Sequence, residues 1–182
     1  FPVLVARTGY TREDGYELYV PAEAAGHLWQ LLLDAGGGDL IPCGLACRDT
    51  LRLEAGMPLY GHELGTNIYP SQAGLGRVIN FKKEGDFVGR SALENRDATA
   101  DRVLVGLAGE GRRAGRAGYA VVNEGKAVGA ITSGILSPTL GHPIAMAFVD
   151  PDVAEVGTSL NVDVRGKAFT VTVVELPFYK RS

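Results

Sequence analysis

The chain has 182 residues, 46% of them hydrophobic and 21% charged, with 18 basic against 21 acidic side chains and a formal net charge of -3. That apolar content and small net charge exclude an intrinsically disordered chain, and the near balance of charge offers no basic face for generic nucleic-acid or anionic-membrane binding. Glycine is the outlier at 25 of 182 residues, about twice the average usage of roughly 7%, which points to many turns and close backbone approaches.

No run reaches the roughly 18–20 apolar residues of a membrane helix, and no basic segment followed by an apolar run opens the chain as a signal peptide would. Phe1-Pro2-Val3-Leu4-Val5 has the character of a strand interior and carries no initiator Met. The expectation is a chain that starts within a longer polypeptide. Residues 3–7 and 16–20 read as two strands, joined through the polar loop Thr8-Gly9-Tyr10-Thr11-Arg12-Glu13-Asp14-Gly15 with an Asp-Gly hairpin turn. Leu28, Leu31, Leu32 and Ala35 then recur at helical spacing until Gly36-Gly37-Gly38 ends the run, predicting an amphipathic helix packed on the strands.

Leu45, Ala46, Thr50, Leu51 and Leu53 predict a second short helix that ends near Gly56 and Pro58. Residues 57–76 are broken repeatedly by Gly and Pro and read as loop, 76–81 as a strand, and 87–93 as a turn docking into a short helix. The polar run 94–102 is the expected linker, dividing the chain into domains 1–95 and 96–182. Beyond it come short strands at 102–108, 120–123, 126–133, 144–149, 159–164 and 167–175, with turn signals at Asn123-Glu124-Gly125 and Arg165-Gly166. An open sheet of these strands would expose two edges, so closure is expected. The predicted fold class is α+β: an incomplete α/β domain followed by a small C-terminal antiparallel β-barrel.

Cys43 and Cys47 lie four apart, while His27, His62 and His142 stand in no paired motif. Two thiols fall short of a four-ligand zinc site, so no metal is expected and the cysteines read as buried free thiols in a reducing cytosol. The densest polar group runs from Arg7 to Glu17. Glu17 offers the two-oxygen acceptor that an amino-pyrimidine edge engages through parallel N–H bonds, although a solvated hairpin with acidic tips fits the same residues. Arg48 suits a planar anion held bidentately, or an ion pair with Asp49 or Glu54 on the helix surface. The string Gly56-Met57-Pro58-Leu59-Tyr60-Gly61-His62-Glu63 has the character of an active-site rim, with His62 equally at home as a hydrogen-bonded structural residue. The hydroxyls of Thr132-Ser133-Gly134 and Ser137-Pro138 read as barrel-edge groups bonded to backbone. No nucleophile elbow, phosphate loop or H-E-x-x-H helix is present.

Several strings together resemble one family. Ala6-Arg7-Thr8-Gly9-Tyr10-Thr11-Arg12-Glu13-Asp14-Gly15-Tyr16-Glu17 resembles the A-R-T-G-Y-T-G-E-D-G signature, with its following aromatic and Glu, of the T protein of the glycine cleavage system. Arg48-Asp49-Thr50-Leu51-Arg52-Leu53-Glu54-Ala55-Gly56-Met57-Pro58-Leu59-Tyr60-Gly61 matches that family's R-D-T-L-R-L-E-A-G-M-P-L-Y-G. Ala73-Gly74-Leu75-Gly76, Thr132-Ser133-Gly134, Ile144-Ala145-Met146 and Leu176-Pro177-Phe178-Tyr179 extend the likeness through the chain.

The resemblance implies a folate-binding α/β domain backed by a barrel, in an aminomethyltransferase of the folate-dependent superfamily. By that likeness, the one-carbon unit passes from the aminomethyl-lipoyl arm of H protein to tetrahydrofolate with release of ammonia, in the cytoplasm. The implied folate-binding residues are Tyr10, Glu17, Arg48 and Arg181. The family's catalytic aspartate lies in a region preceding these motifs, so no catalytic residue is assigned here and the 182 residues alone are expected to be inactive. Two rivals share the likeness: a folate-dependent demethylase of a small methylated amine or sulfonium, and a folate-binding module without turnover, which the long R-D-T-L-R-L-E string disfavours. One departure stands out, since Arg12 replaces a signature Gly.

Overall fold

The computed structural model describes residues 1–96 and 101–181; residues 97–100, the middle of the expected linker, lie outside them. Strands β1 (Leu4–Ala6) and β2 (Glu17–Tyr19) pair antiparallel with Ala6 opposite Glu17. That register leaves ten residues between them, so the connection is a broad loop and the expected Asp-Gly hairpin turn is not formed. Helix α1 (Ala25–Gly36) forms where the 3.6-residue pattern puts it, but none of its residues is buried and Trp29 is 53% exposed. The expectation that it packs down on the strands is therefore corrected: the two three-residue strands are too short to cover a three-turn apolar stripe.

Helix α2 (Leu45–Glu54) buries only its last turn, Arg52, Leu53 and Glu54. The strand expected at 76–81 is a single tight helical turn, Gly76–Val78. There the Val78 and Ile79 N–H groups donate locally to the carbonyls of Leu75 and Gly76, at 3.1 and 3.2 Å, rather than across a ladder. A short helix, α3 (Arg90–Glu94), follows. Among the described residues no helix is long and apolar enough to cross a membrane.

The second half closes as expected. Strands β3 (Val103–Gly109), β4 (Ala120–Asn123), β5 (Lys126–Leu136), β6 (Pro143–Val149), β7 (Ser159–Val164) and β8 (Lys167–Val174) form an antiparallel barrel in the order β3-β6-β5-β4-β7-β8. Closure comes from β3 pairing with β8, Gly106 opposite Val174, which removes both sheet edges. Glu124-Gly125 and Arg165-Gly166 each adopt successive positive φ angles, the geometry of tight hairpin turns whose twist matches the strands. Alternating apolar residues, among them Leu107, Val121, Ile131, Val149, Leu160, Val162 and Val173, fill the interior.

A second apolar cluster lies outside the barrel. Leu53 of α2 packs with Ile144 and Met146 of β6, bordered by Ile135, Leu140, Leu176 and Phe178. This seam joins the two halves, and its tail side returns to α2, where the Tyr179 N–H donates to the Glu54 carbonyl at 2.9 Å. Gly56 ends the helix at φ +66°, and a Cβ there would lie 3.1 Å from the Pro177 Cα. Both the backbone conformation and the contact exclude a side chain. Gly56→Ala is expected to destabilise the protein by about 1–3 kcal/mol, read from urea unfolding.

Candidate functional site

Strands β1 and β2 project the loop 7–16 toward the N-terminal turns of α2. Tyr10 is half-buried there. Its hydroxyl donates to the Pro58 carbonyl, and the Arg48 guanidinium lies over its ring, 4.6 Å from the centroid. The surface-ion-pair reading of Arg48 with Asp49 is not what forms, because the Arg52 Nε–H takes the Asp49 carboxylate at 2.7 Å. Arg48 is left exposed on an aromatic face, an arrangement worth about 0.5–1 kcal/mol. Glu17, exposed at the base of the loop on β2, accepts from the Thr8 hydroxyl, its only hydrogen-bond partner among the described residues.

Arg181 reaches the loop from the other side. Its Nη1 lies 3.1 Å from a Glu13 carboxylate oxygen and 3.4 Å from one of Asp14, while Arg7 approaches Asp14 at 3.7 Å. Of the four sequence-predicted site residues, Tyr10 and Arg48 touch, and Arg181 binds the acidic tip of the loop that carries Tyr10. Glu17 makes no hydrogen bond or ion pair with the other three among the described residues. Each of these ion pairs is solvent-exposed and weakly stabilising. Their consequence is to hold the loop between the helix and the C-terminal tail.

Behind the exposed groups sits a buried network that joins Arg52 and Glu54 of the R-D-T-L-R-L-E string to Glu63 of the rim string and to Ser133 and Ser137 of the barrel. Arg52 is 1% and Glu63 0% exposed, and they pair at 3.0 Å. Arg52 also donates to the Met57 carbonyl at 3.2 Å and the Ser133 hydroxyl at 2.7 Å. Glu63 accepts the Leu59 N–H at 2.9 Å and the Ser133 O–H at 2.7 Å. Glu54 is likewise buried and accepts from the Ser137 hydroxyl, the Thr139 hydroxyl at 2.8 Å and the Thr139 N–H at 3.2 Å. The expectation that the barrel-edge hydroxyls bond backbone holds for Thr132, which donates to the Met146 carbonyl at 3.0 Å. For Ser133 it is corrected, and for Ser137 it holds in part: its oxygen accepts the Leu140 N–H at 3.0 Å while its O–H donates to Glu54, since buried carboxylates need donors more than carbonyls already paired in a ladder do. His62 has the structural role, its Nδ1 2.8 Å from the Thr132 carbonyl oxygen.

The cysteines are free, as expected, but not buried: Cys43 is exposed and Cys47 half-buried, because the chain entering α2 runs along the surface. A hydrogen bond with Cys43, followed by desolvation, raises the Cys47 thiol above its ordinary value. Among the described residues no three His, Cys, Asp or Glu side chains converge as metal ligands.

The structure is thus a closed six-stranded barrel sealed against α2, with the Tyr10 ring of the 7–16 loop meeting the Arg48 guanidinium at the start of that helix. The family model described as the GCVT N-terminal domain matches residues 1–83, and that of the glycine cleavage T-protein C-terminal barrel domain matches residues 102–180. The chain belongs to the glycine cleavage T-protein family. It is 89% identical to an aminomethyltransferase of Cutibacterium acnes, over 100% of this chain and 49% of that relative, and 60% identical to one of Streptomyces avermitilis, over 99% and 50%. The crystal structure of glycine cleavage system aminomethyltransferase T from Bartonella henselae superposes with a TM-score of 0.86 at 35% identity, over 96% of this chain and 49% of that one. The chain spans about half the length of the curated relatives it matches.

Arg12 adopts φ +60°, the left-handed conformation that suits the Gly of the resembling signature. Arg12→Gly is expected to raise stability by about 1 kcal/mol in denaturant unfolding, with the folded loop unchanged. Burial raises the Tyr10 phenol above its ordinary 10.0, against the opposing pull of Arg52 and Arg48. The unfolded chain therefore loses this proton first, so the Tyr10 contribution is intact below pH 10.0 and declines as pH rises above it. The difference in unfolding free energy between wild type and Tyr10→Phe is expected to narrow across that range.

Proposed function

We propose that these residues form part of a tetrahydrofolate site in an aminomethyltransferase that accepts a one-carbon unit from the aminomethyl-lipoyl arm of H protein and releases ammonia. The observation that carries this reading is the Arg48–Tyr10 stack, with Glu17 exposed at the base of the loop that carries Tyr10. Its chemistry fits a reduced pterin joined to an aminobenzoyl-glutamate. Glu17 is a two-oxygen acceptor for the pterin's amino-pyrimidine N–H groups, the Tyr10 ring supplies a flat apolar wall, and Arg48 and Arg181 supply guanidinium groups for carboxylate. Tetrahydrofolate itself supplies the nitrogens that take up the one-carbon unit.

In this reading the chain's residues bind and orient, and none is assigned a proton-transfer role. Glu17 fixes which edge of the pterin faces inward. The family match and the names of the relatives support the activity for a polypeptide of the relatives' length; the partner in this reading is the lipoylated H protein and the location the cytoplasm. Residues 1–95 act as the ligand-facing domain and 96–182 as its barrel support.

Glu17→Gln in the full-length polypeptide is expected to weaken tetrahydrofolate binding by about 1–3 kcal/mol, because a neutral amide replaces a charge-assisted acceptor. Unchanged affinity by calorimetry removes Glu17 from the site. Absence of methylenetetrahydrofolate on mixing the full-length polypeptide with tetrahydrofolate and loaded H protein refutes the proposed activity.

A further inference from the structure

The segment 57–59 is gripped residue by residue. The Met57 carbonyl accepts from Arg52 at 3.2 Å, the Pro58 carbonyl accepts the Tyr10 hydroxyl, and the Leu59 N–H donates to Glu63 at 2.9 Å. The two charged side chains that hold this segment meet on one barrel hydroxyl: Ser133 accepts from Arg52 Nη2 and donates to Glu63 Oε1, both at 2.7 Å. No other barrel residue hydrogen-bonds to the Arg52–Glu63 pair among the described residues.

The barrel spends a bulge to make this contact. Ile131 pairs with Ala147, whereas Ser133 pairs with Met146, so Thr132 has no partner in the β5–β6 register. Ile131 and Ala147 point into the barrel, and Met146 points outward into the seam with α2. Two residues apart on a regular strand, Ile131 and Ser133 would share the inward face. The extra residue reverses that alternation and turns Ser133 outward to the helix, the kind of re-aiming for which bulges are used beside functional sites.

We propose that Ser133 is a positioning residue for the Tyr10–Arg48 stack, acting from the barrel through Arg52 and Glu63 on the segment that anchors Tyr10. The proposal rests on the folate reading of that stack for its ligand, and on the hydrogen bonds alone for its mechanism. By donating to Glu63 while accepting from Arg52, the hydroxyl fixes the relative orientation of the two charges. Without it both charges stay buried, each short of a partner, and the lowest-cost response is a shift of the loop that they hold.

The test compares Ser133→Ala and Ser133→Thr in the full-length polypeptide, below the unfolding temperature of both. Tetrahydrofolate affinity is read by calorimetry, and ionisation of the Tyr10 phenol by NMR of ring-labelled tyrosine assigned with Tyr10→Phe. Ser133→Ala is expected to raise the dissociation constant roughly tenfold, to lower the Tyr10 ionisation toward its ordinary value, and to leave kcat at saturating folate unchanged. Ser133→Thr, which keeps the hydroxyl, is expected to restore both. If Ser133→Ala does not fold, Ser133→Cys keeps the shape with weaker hydrogen bonds and carries the same expectation. A lower unfolding temperature with affinity and Tyr10 ionisation both unchanged overturns the positioning role and leaves the folate reading intact. A shifted Tyr10 in a polypeptide whose wild type binds no tetrahydrofolate does the reverse.

Discussion

The Arg52–Glu63 pair is the constraint around which this structure is arranged. Removing two charges from water costs several kcal/mol each, and the mutual attraction offsets that only when the remaining donors and acceptors are also satisfied. Arg52 meets the condition with Asp49, the Met57 carbonyl and Ser133, and Glu63 meets it with the Leu59 N–H and Ser133. Satisfying the pair therefore dictates three otherwise unrelated features: the path of the chain through 57–59, the position of the last turn of α2, and the bulge in β5. Glu54 imposes a parallel demand two residues on, answered by Ser137 and Thr139 from the connection between β5 and β6.

Polar satisfaction and apolar burial act at one seam. Leu53 lies between Arg52 and Glu54 in sequence and packs on Ile144 and Met146, so a single turn of α2 carries both the ion network and the apolar contact. Phe178 adds to that cluster, and Tyr179 bonds back to Glu54, which sends Arg181 toward the acidic tip of the loop. The exposed loop is thus supported from two directions, through Tyr10 on Pro58 and through Arg181 on Glu13 and Asp14. Rigid support beneath an exposed loop is the usual division of labour in a binding site.

The first half contrasts with the barrel. Trp29, Leu31 and Leu32 of α1 and Leu4, Val5 and Tyr19 of the two strands are exposed, whereas the barrel fills its own interior. Order in the described first half therefore depends on α2 and the seam more than on a core of its own. Arg12 adds to that load by holding a conformation that favours glycine.

The barrel was legible in the sequence strand by strand, because alternation and paired turn residues are local signals and closure follows from avoiding sheet edges. Helices α1 and α2 were equally legible from their 3.6-residue pattern. The strand expected at 76–81 was not formed, since β-character without a partner strand yields to local turn bonding. The loop residues Tyr10 and Glu17 and the helix residue Arg48 could be singled out as candidates from their chemistry and from the family likeness. Their arrangement could not: Asp49 and Arg52, three apart on α2, face each other as helix geometry requires, but nothing local sets the freed Arg48 guanidinium over the Tyr10 ring of a distant loop. Arg52, Glu63 and Ser133 are 11 and 70 residues apart along the chain, and no spacing rule links them. The sequence by itself determined the local elements, the turns and the family. Tertiary structure alone decided which charges are buried together and which are left exposed, because desolvation depends on what folds over a residue and not on its neighbours in the chain.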